Sequence, residues 1–461
     1  MNEEREIPGG WVIAKLGSVC FTTSGGTPSR KILSYYQGSI PWVKSGELDK
    51  GLITKTEETI SEEAIKNSSA KIFPKGTLLI ALYGATIGKL GFLGVDAATN
   101  QAICGIFKNE IVDLHFLKYF LYNRRNKLVE QGTGGAQPNI SQTILKDLEI
   151  PIPPLAEQHR IVAKIEELFS SLDKGIESLK TAQEQLKVYR QAVLKWAFEG
   201  RFGFSQRPRK SWKEGELPGG WEWKRIIDIS NVNPKLPFEN IPDDLEVSFL
   251  PMKLVEEVVN KINLIEFRKY GQVKKGFTPM TDGDVIFAKI TPCMENGKIA
   301  VVHSLKNKIA FGSTEFHVLR CKQGYFNSYL FYFLVQERIR QKAEQSMTGA
   351  VGQRRVPKKF LEELEVPFPP TPSEQQFIVS EIEKRLSVCD KIEESIATSL
   401  QQAESLRQSI LKKAFEGKLV PQDPNDEPAS ALLKRIKAQR EKQSSAQRNI
   451  KRRKASKSAA H

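Results

Sequence analysis

Residues 155–200 read LAEQHRIVAKIEELFSSLDKGIESLKTAQEQLKVYRQAVLKWAFEG, a stretch without proline. Within it Ile165, Leu172, Leu179, Leu186 and Val193 recur every seventh residue, and Leu168, Ala182, Tyr189 and Trp196 stand three residues further on. Apolar residues at that spacing share one face of a helix, so the stretch predicts one long helix with a buried seam. The pattern returns: Ile382, Cys389, Ile396, Ala403 and Ile410 each fall 217 residues after a member of the first row, with Ile392 and Leu406 in support. Ser373 is the expected N-cap of the second helix, and Gly200 and Gly417 sit where glycines close helices. Each helix would span about 40 residues, or roughly 60 Å, against a globular mean of about 11–12 residues. Each stripe could pack on its own domain. The lengths favour the two stripes packing on each other as an antiparallel coiled coil, related by a pseudo-two-fold axis. Gly175, Ser399 and Arg385 interrupt the seam and mark places where it can face another subunit.

The repeat extends outward from the helices. Ile7-Pro8-Gly9-Gly10-Trp11 recurs as Leu217-Pro218-Gly219-Gly220-Trp221, and Leu148-Glu149-Ile150-Pro151-Ile152-Pro153-Pro154 as Leu364-Glu365-Val366-Pro367-Phe368-Pro369-Pro370. Glu157-Gln158 returns as Glu374-Gln375, and Ala197-Phe198-Glu199-Gly200 as Ala414-Phe415-Glu416-Gly417, so the offset stays between 210 and 217. Ahead of each helix lies a stretch rich in Gly, aromatic and β-branched residues, with strands expected at Thr77–Leu82 and Asp284–Ala288. The expected fold is α+β: a globular domain over 1–150, a long helix over 151–205, a second globular domain over 206–366, a second long helix over 367–420, and a helical segment with a basic disordered tail over 421–461. The copies are not identical, because Ser24–Lys31 and Ile40–Lys44 have no clear counterpart between 230 and 275. The boundary also differs by one residue, Pro154-Leu155-Ala156-Glu157 against Pro370-Thr371-Pro372-Ser373-Glu374.

At 461 residues the chain exceeds one ordinary core, and its 40% hydrophobic and 27% charged residues suit a soluble globular protein. No apolar run approaches the roughly 20 residues that span a bilayer. Met1-Asn2-Glu3-Glu4-Arg5-Glu6 lacks the basic-then-apolar pattern of a signal peptide, so a cytoplasmic location without membrane attachment is expected. Cys20, Cys104, Cys293, Cys321 and Cys389 are scattered and form no metal or redox pair; reduced, mostly buried thiols are expected. Of the five histidines only His303 and His317 are even loosely grouped, and no metal site is expected. The net charge of +15 favours a polyanionic partner, although residues 434–461, with Lys451-Arg452-Arg453-Lys454, carry +10 of it.

Signatures of catalysis fail on inspection. Gly84-Ala85-Thr86-Ile87-Gly88-Lys89 imitates a phosphate loop but is one residue short and runs into Leu90 where Ser or Thr is needed. Gly132-Thr133-Gly134-Gly135 follows a charged helical stretch, not a strand, and Asp243-Asp244 after Pro242 lacks the acid-x-Lys partner of a nuclease metal site. No G-x-S-x-G, no H-E-x-x-H and no Asn/Asp-Pro-Pro-aromatic tetrapeptide is present. Two similar domains on a rigid spacer suit a rod with two separated sites, and duplex DNA presents half-sites on one face about 34–36 Å apart.

The tandem plan, Ile150-Pro151-Ile152-Pro153-Pro154-Leu155-Ala156-Glu157-Gln158, the Arg190–Leu194 and Ala-Phe-Glu-Gly runs, and Ala431-Leu432-Leu433-Lys434-Arg435-Ile436-Lys437-Ala438 together resemble type I restriction-modification specificity subunits over nearly the whole chain. The resemblance implies two target-recognition domains, each reading half of a bipartite DNA site, with paired helices as a ruler for the spacer. It implies docking of two methyltransferase subunits, which bind S-adenosylmethionine and methylate adenine N6, and of two restriction/translocase subunits using ATP and Mg. This chain would hold none of those cofactors and catalyse nothing itself. Unlike readers on a duplicated scaffold imply an asymmetric target. The alternatives are an orphan recognition subunit paired with a methyltransferase only, and a coiled-coil scaffold that binds no DNA.

Base edges are read by amides, hydroxyls and guanidinium groups, and phosphates by Lys and Arg. In the first domain the candidates for DNA contact are Ser24, Thr27, Arg30, Lys31, Lys44, Ser45, Tyr83, Thr86, Lys89, Gln137 and Asn139. In the second they are Lys289, Thr291, Asn296, Lys298, Ser313, Thr314, Gln353, Arg354 and Arg355. The bland reading makes such residues ordinary loop chemistry. Thr133–Gln137 and Thr348–Gln353 occupy the same place in each copy and are the expected shared backbone-contacting loop.

Overall fold

Apolar runs without polar alternation place a strand between two covered faces. The computed structural model, which describes residues 7–131, 139–202, 217–263, 266–350 and 352–438, has such a strand in each of two units. The units are Met1–Ser178 with Ser399–His461, and Leu179–Thr398. The strands are Leu78–Ala81 and Val285–Ala288, buried at every position.

In the first unit Leu78–Ala81 lies between Ile103–Ile106 and Leu90–Leu93, with Thr22–Ser24 beyond the one and Leu52–Ile53 beyond the other. A second sheet runs Glu58–Ile60, Ile40–Val43, Ala97–Thr99, Ile72–Phe73. In the second unit Val285–Ala288 lies between Phe316–Cys321 and Ile299–Val301, with Ser230–Val232 beyond the former. Its second sheet runs Glu266–Lys269, Glu246–Leu250, Ile309–Gly312, Thr278–Thr281. In both second sheets the inner pair is parallel and the outer pairs antiparallel. Ile40–Val43 therefore has a topological counterpart, Glu246–Leu250, that the sequence does not reveal. Strand formation needs apolar burial on one face, not a particular string of residues, so the topology is duplicated where the letters are not.

The repeated motifs meet at the foot of each long helix. Val12–Lys15 pairs antiparallel with Glu149–Ile152, and Glu222–Arg225 with Glu365–Phe368, so each domain's entry and exit strands form one ribbon. Next to it the Trp11 indole donates to the Glu157 carboxylate at 3.0 Å, and the Trp221 indole to Glu374 at 3.0 Å. The Gln158 side chain accepts from the Asp113 amide at 2.8 Å, and Gln375 accepts from Phe326 at 3.2 Å. Each acceptor satisfies an amide just ahead of the helix that follows, Leu114–Glu130 or Asn327–Leu334. The Glu-Gln pair thus carries two separate fastenings.

The long helices span Leu155–Phe198 and Pro372–Phe415. Thr371, not Ser373, caps the second: its hydroxyl accepts from the Glu374 amide at 3.2 Å. Pro372 starts the helix because it lacks an N–H to leave unsatisfied, which shifts the cap one residue upstream. Both helices close as expected, Gly200 at φ 69 and Gly417 at φ 70, with Arg201 N donating to Trp196 O at 2.9 Å and Lys418 N to Lys413 O at 2.8 Å.

Each unit combines the opening half of one helix with the closing half of the other. In the second unit Arg190 bonds Asp390 at 2.5 Å and Glu393 at 2.9 Å, while Phe202, further along, lies 4.2 Å below the Arg385 guanidinium. Advance along one helix meets retreat along the other, so the two run antiparallel there. In the first unit Arg407 pairs with Asp173 and lies 4.6 Å from the Phe169 ring. The seven-residue row is buried in the second helix from Ile382 to Ile410, whereas Tyr189, Ile392 and Leu406 remain 40%, 44% and 51% exposed. The Phe of each Ala-Phe-Glu-Gly run docks on an aromatic helix: Phe415 lies 5.4 Å from Phe116 and 5.3 Å from Phe120, and Phe198 lies 4.8 Å from Tyr329 and 5.4 Å from Phe333.

Glu157 is 1% exposed, and burial holds its carboxyl above the usual range, opposed by the bond from Trp11. A raised carboxyl binds its proton more tightly folded than unfolded, so the cost of the buried charge is present at neutral pH and disappears on acidification. Trp11→Phe removes the indole donor and is expected to destabilise the first unit by about 1–3 kcal/mol near neutral pH. The loss should shrink as pH falls through the carboxylate range. Urea titrations at about pH 7 and about pH 4.5 check this, and equal midpoints for W11F and the parent at neutral pH would remove the fastening.

Candidate nucleic-acid interface

The polar candidates of the second domain sit where two segments return to the end of its central strand. Thr348 and Arg355 face each other across a hairpin, exchanging backbone bonds of 3.0 and 2.8 Å. Val356 N donates to Lys289 O at 2.8 Å and Thr291 N to Arg354 O at 3.2 Å, fastening the hairpin to the turn after the strand. Glu315 lies between them, its carboxylate receiving Nε and Nη2 of Arg355 at 2.9 Å each. Ser313 accepts from the Glu315 amide at 3.2 Å, and Thr314 and Gln353 are exposed. The fold therefore brings Lys289, Thr291, Ser313, Thr314, Gln353, Arg354 and Arg355 together. Asn296 and Lys298 point elsewhere, Asn296 to Glu257 at 2.9 Å and Lys298 to the carbonyls of Met252 and Val255 at 3.3 and 3.0 Å.

Beneath the hairpin, His317 is buried between Val356 O, 2.9 Å from Nε2, and Asn233 Nδ2, 3.1 Å from Nδ1. A ring that donates from Nε2 and accepts at Nδ1 is neutral, and burial accordingly pushes its pKa down. The histidine is a structural anchor beneath the hairpin.

In the first domain Asn139 bridges Tyr83, and Ile140 N donates to Leu82 O at 2.7 Å, so the chain returns to the same place. Gln137 lies outside the described residues, as do the rest of Thr133–Gln137. Gln101 joins the group: its side chain bonds the Thr27 hydroxyl and the Tyr83 hydroxyl. Gln142 donates to Ser24 Oγ at 2.5 Å. Arg30 and Lys44 form a separate cluster on the smaller sheet, bonded to Glu58 at 2.6 and 3.1 Å, with Lys44 also 2.7 Å from Glu57. The Arg30 guanidinium lies over Tyr36 and Trp42, 4.2 and 5.2 Å from the ring centroids. Ser45 opens the short helix Ser45–Lys50, and Lys31 is exposed. Thr86 and Lys89 share one turn, Lys89 paired with Asp49. That turn runs into the strand Leu90–Leu93 and not into a helix, so it lacks the setting of a phosphate loop.

Sequence reasoning missed Gln101, Gln142, Glu58 and Glu315. Their partners are 74, 118, 28 and 40 residues away, and no local pattern marks such pairings. The arrangement presents amides, hydroxyls and cations, several of the cations paired with carboxylates. Burial pushes the Cys104 and Cys321 thiols up to about 12, which keeps them protonated at neutral pH. No described helix is long and apolar enough to cross a membrane.

Comparison with known proteins adds three findings. Residues 8–187 and 218–402 match the type I restriction modification DNA specificity domain. The specificity subunit of type I restriction enzyme EcoAI from Escherichia coli is 38% identical over 266 residues, covering 49% of this chain and 45% of that protein, so the match spans about half the length of that relative. The EcoKI specificity subunit of Escherichia coli strain K12 is 25% identical over 467 residues, covering 94% of this chain and 96% of its own. The crystal structure of an HsdS subunit from Thermoanaerobacter tengcongensis has the same fold, with a TM-score of 0.59 at 20% identity over 90% of this chain and 99% of that one.

The Glu315 carboxyl is held below the usual range by the Arg355 guanidinium beside it. A depressed carboxyl stabilises the fold above its unfolded pKa of about 4.3, and that contribution is lost as pH falls through the folded value. Carbon-13 titration of the labelled side chain should give a midpoint below about 4.3 in the parent and one near it in Arg355→Ala. An ordinary midpoint in the parent would mean that the hairpin is not held by this pair.

Proposed function

The chain belongs to the type I restriction modification DNA specificity domain family, and from that premise we propose that it is the non-catalytic DNA-recognition subunit of a type I restriction-modification system. Each domain reads one half of a bipartite, asymmetric duplex site. The observation that carries this reading is a strand order that recurs in both units, apart from the extra edge strand Leu52–Ile53 of the first, with different side chains where the chain returns to the turn after the central strand. By the same bridges and bonds, Leu82, Tyr83 and Asn139 stand in the first domain where Lys289, Ile290 and Arg355 stand in the second. Similar scaffolds carrying unlike amides, hydroxyls and cations suit two unlike half-sites.

In this reading Lys31, Lys44, Lys89, Lys289 and Arg355 neutralise phosphates, releasing counterions, while Gln, Asn, Thr and Ser side chains face base edges. The long helices set the spacing and dock methyltransferase subunits and restriction/translocase subunits, expected as two of each. S-adenosylmethionine, ATP and Mg belong to those subunits, and the assembly works in the cytoplasm.

Two measurements test the proposal. Fluorescence anisotropy with duplex DNA should show log K falling linearly with log salt, and Arg355→Ala should lower that slope by about one. A slope of zero would favour a scaffold that binds no DNA. Exchanging residues 10–145 for those of another family member should change one half of the sequence methylated in vivo, and alteration of both halves would sink modular reading.

A further inference from the structure

In each unit an arginine from a helix that follows the sheet strands reaches back onto the turn after the central strand. In the first, Arg125 of Leu114–Glu130 donates Nε to Ile87 O at 3.2 Å. Its Cγ lies 2.7 Å from the place a Cβ on Gly88 would take, and Gly88 has φ +74. In the second, Arg340 of Glu337–Gln345 donates Nη1 to Glu295 O and Nε to Val335 O, the latter at 3.3 Å. Its Cδ lies 3.3 Å from the place a Cβ on Gly297 would take, and Gly297 has φ +75.

The turns these arginines grip differ in length and in most side chains. They share Gly88-Lys89 and Gly297-Lys298. They also share a closure onto the strand, Ala81 N to Lys89 O at 2.9 Å and Ala288 N to Lys298 O at 3.1 Å. In both turns the arginine bonds a backbone carbonyl, and a glycine with positive φ leaves room for its stem. A guanidinium has several donors fixed in one plane, so it can fasten a turn through the main chain alone. Turn side chains are then left to vary. Tyr83 and Thr86 belong to the first turn, and Thr291 to the second.

We propose that Arg125 and Arg340 are positioning residues for DNA reading: each sets the geometry of its own domain's turn, and so controls the selectivity of one half-site and not the other. The inference rests on the recognition role proposed above. Its test uses the full chain assembled with the methyltransferase subunits of its own system, acting on a duplex library randomised in both half-sites, with thermal unfolding measured in parallel. Arg340→Met keeps the stem and loses the donors. It is expected to relax base preference about tenfold in the half read by the second domain and to leave the other half unchanged; Arg125→Met should do the reverse. Arg340→Lys, which lacks the planar fork, should restore little. Should R340M fail to fold, Gly297→Ala presses a methyl group against the same stem and against Val258, and should give the same one-sided loss. Unchanged preference in a folded R340M, or an equal decline in both halves with a lowered thermal midpoint, would overturn the positioning role. A parent complex that enriches no sequence would instead overturn the recognition role, and this inference with it.

Discussion

The fold depends on a hydrogen bond made twice, buried from the indole of Trp11 to Glu157 and part-buried from that of Trp221 to Glu374. In each case a residue at the domain's beginning is tied to the first turn of the helix that leaves it. A carboxylate next to apolar packing is costly unless a donor is aimed at it, so the bond fixes where the helix starts relative to the ribbon. The adjacent glutamine fixes a second direction by satisfying the amide at Asp113 or Phe326. Together they explain why Pro-Gly-Gly-Trp and Glu-Gln are the strings that recur: each half of the fastening is useless without the other.

A second fastening works from the opposite helix end. Phe415 packs among the aromatic residues of the first unit and Phe198 among those of the second. Each domain therefore grips the start of the helix that follows it and the end of the other one. Paired ends of this kind hold each domain on both helices while its far loops remain open to change. The seam itself contributes unevenly, since one row is buried and the row three residues on is half exposed.

The loops that carry the polar candidates are held by backbone bonds and by a few long-range side chains. Glu315 and Arg355, Gln101 with Thr27 and Tyr83, and the arginines on the two turns all use partners distant in sequence. Ion pairs such as Lys44 with Glu57 and Glu58 are exposed enough to contribute little to stability.

By itself the sequence determined the duplication, the two long helices and their glycine ends, the mixed domains ahead of them, and the general neighbourhood of the polar loops. These are properties of spacing: a seven-residue row or a repeated string is visible along one strand of text. Only the tertiary structure decided that Thr371 and not Ser373 caps the second helix, that Ile40–Val43 and Glu246–Leu250 are counterparts, and that Asn296 and Lys298 turn away from Arg355. It alone placed Gln101, Glu315, Arg125 and Arg340 against their partners. The reason is that periodicity arises from local backbone geometry, whereas a pairing across 28 to 118 residues arises from how sheets and helices pack, which leaves no regular trace in the order of residues.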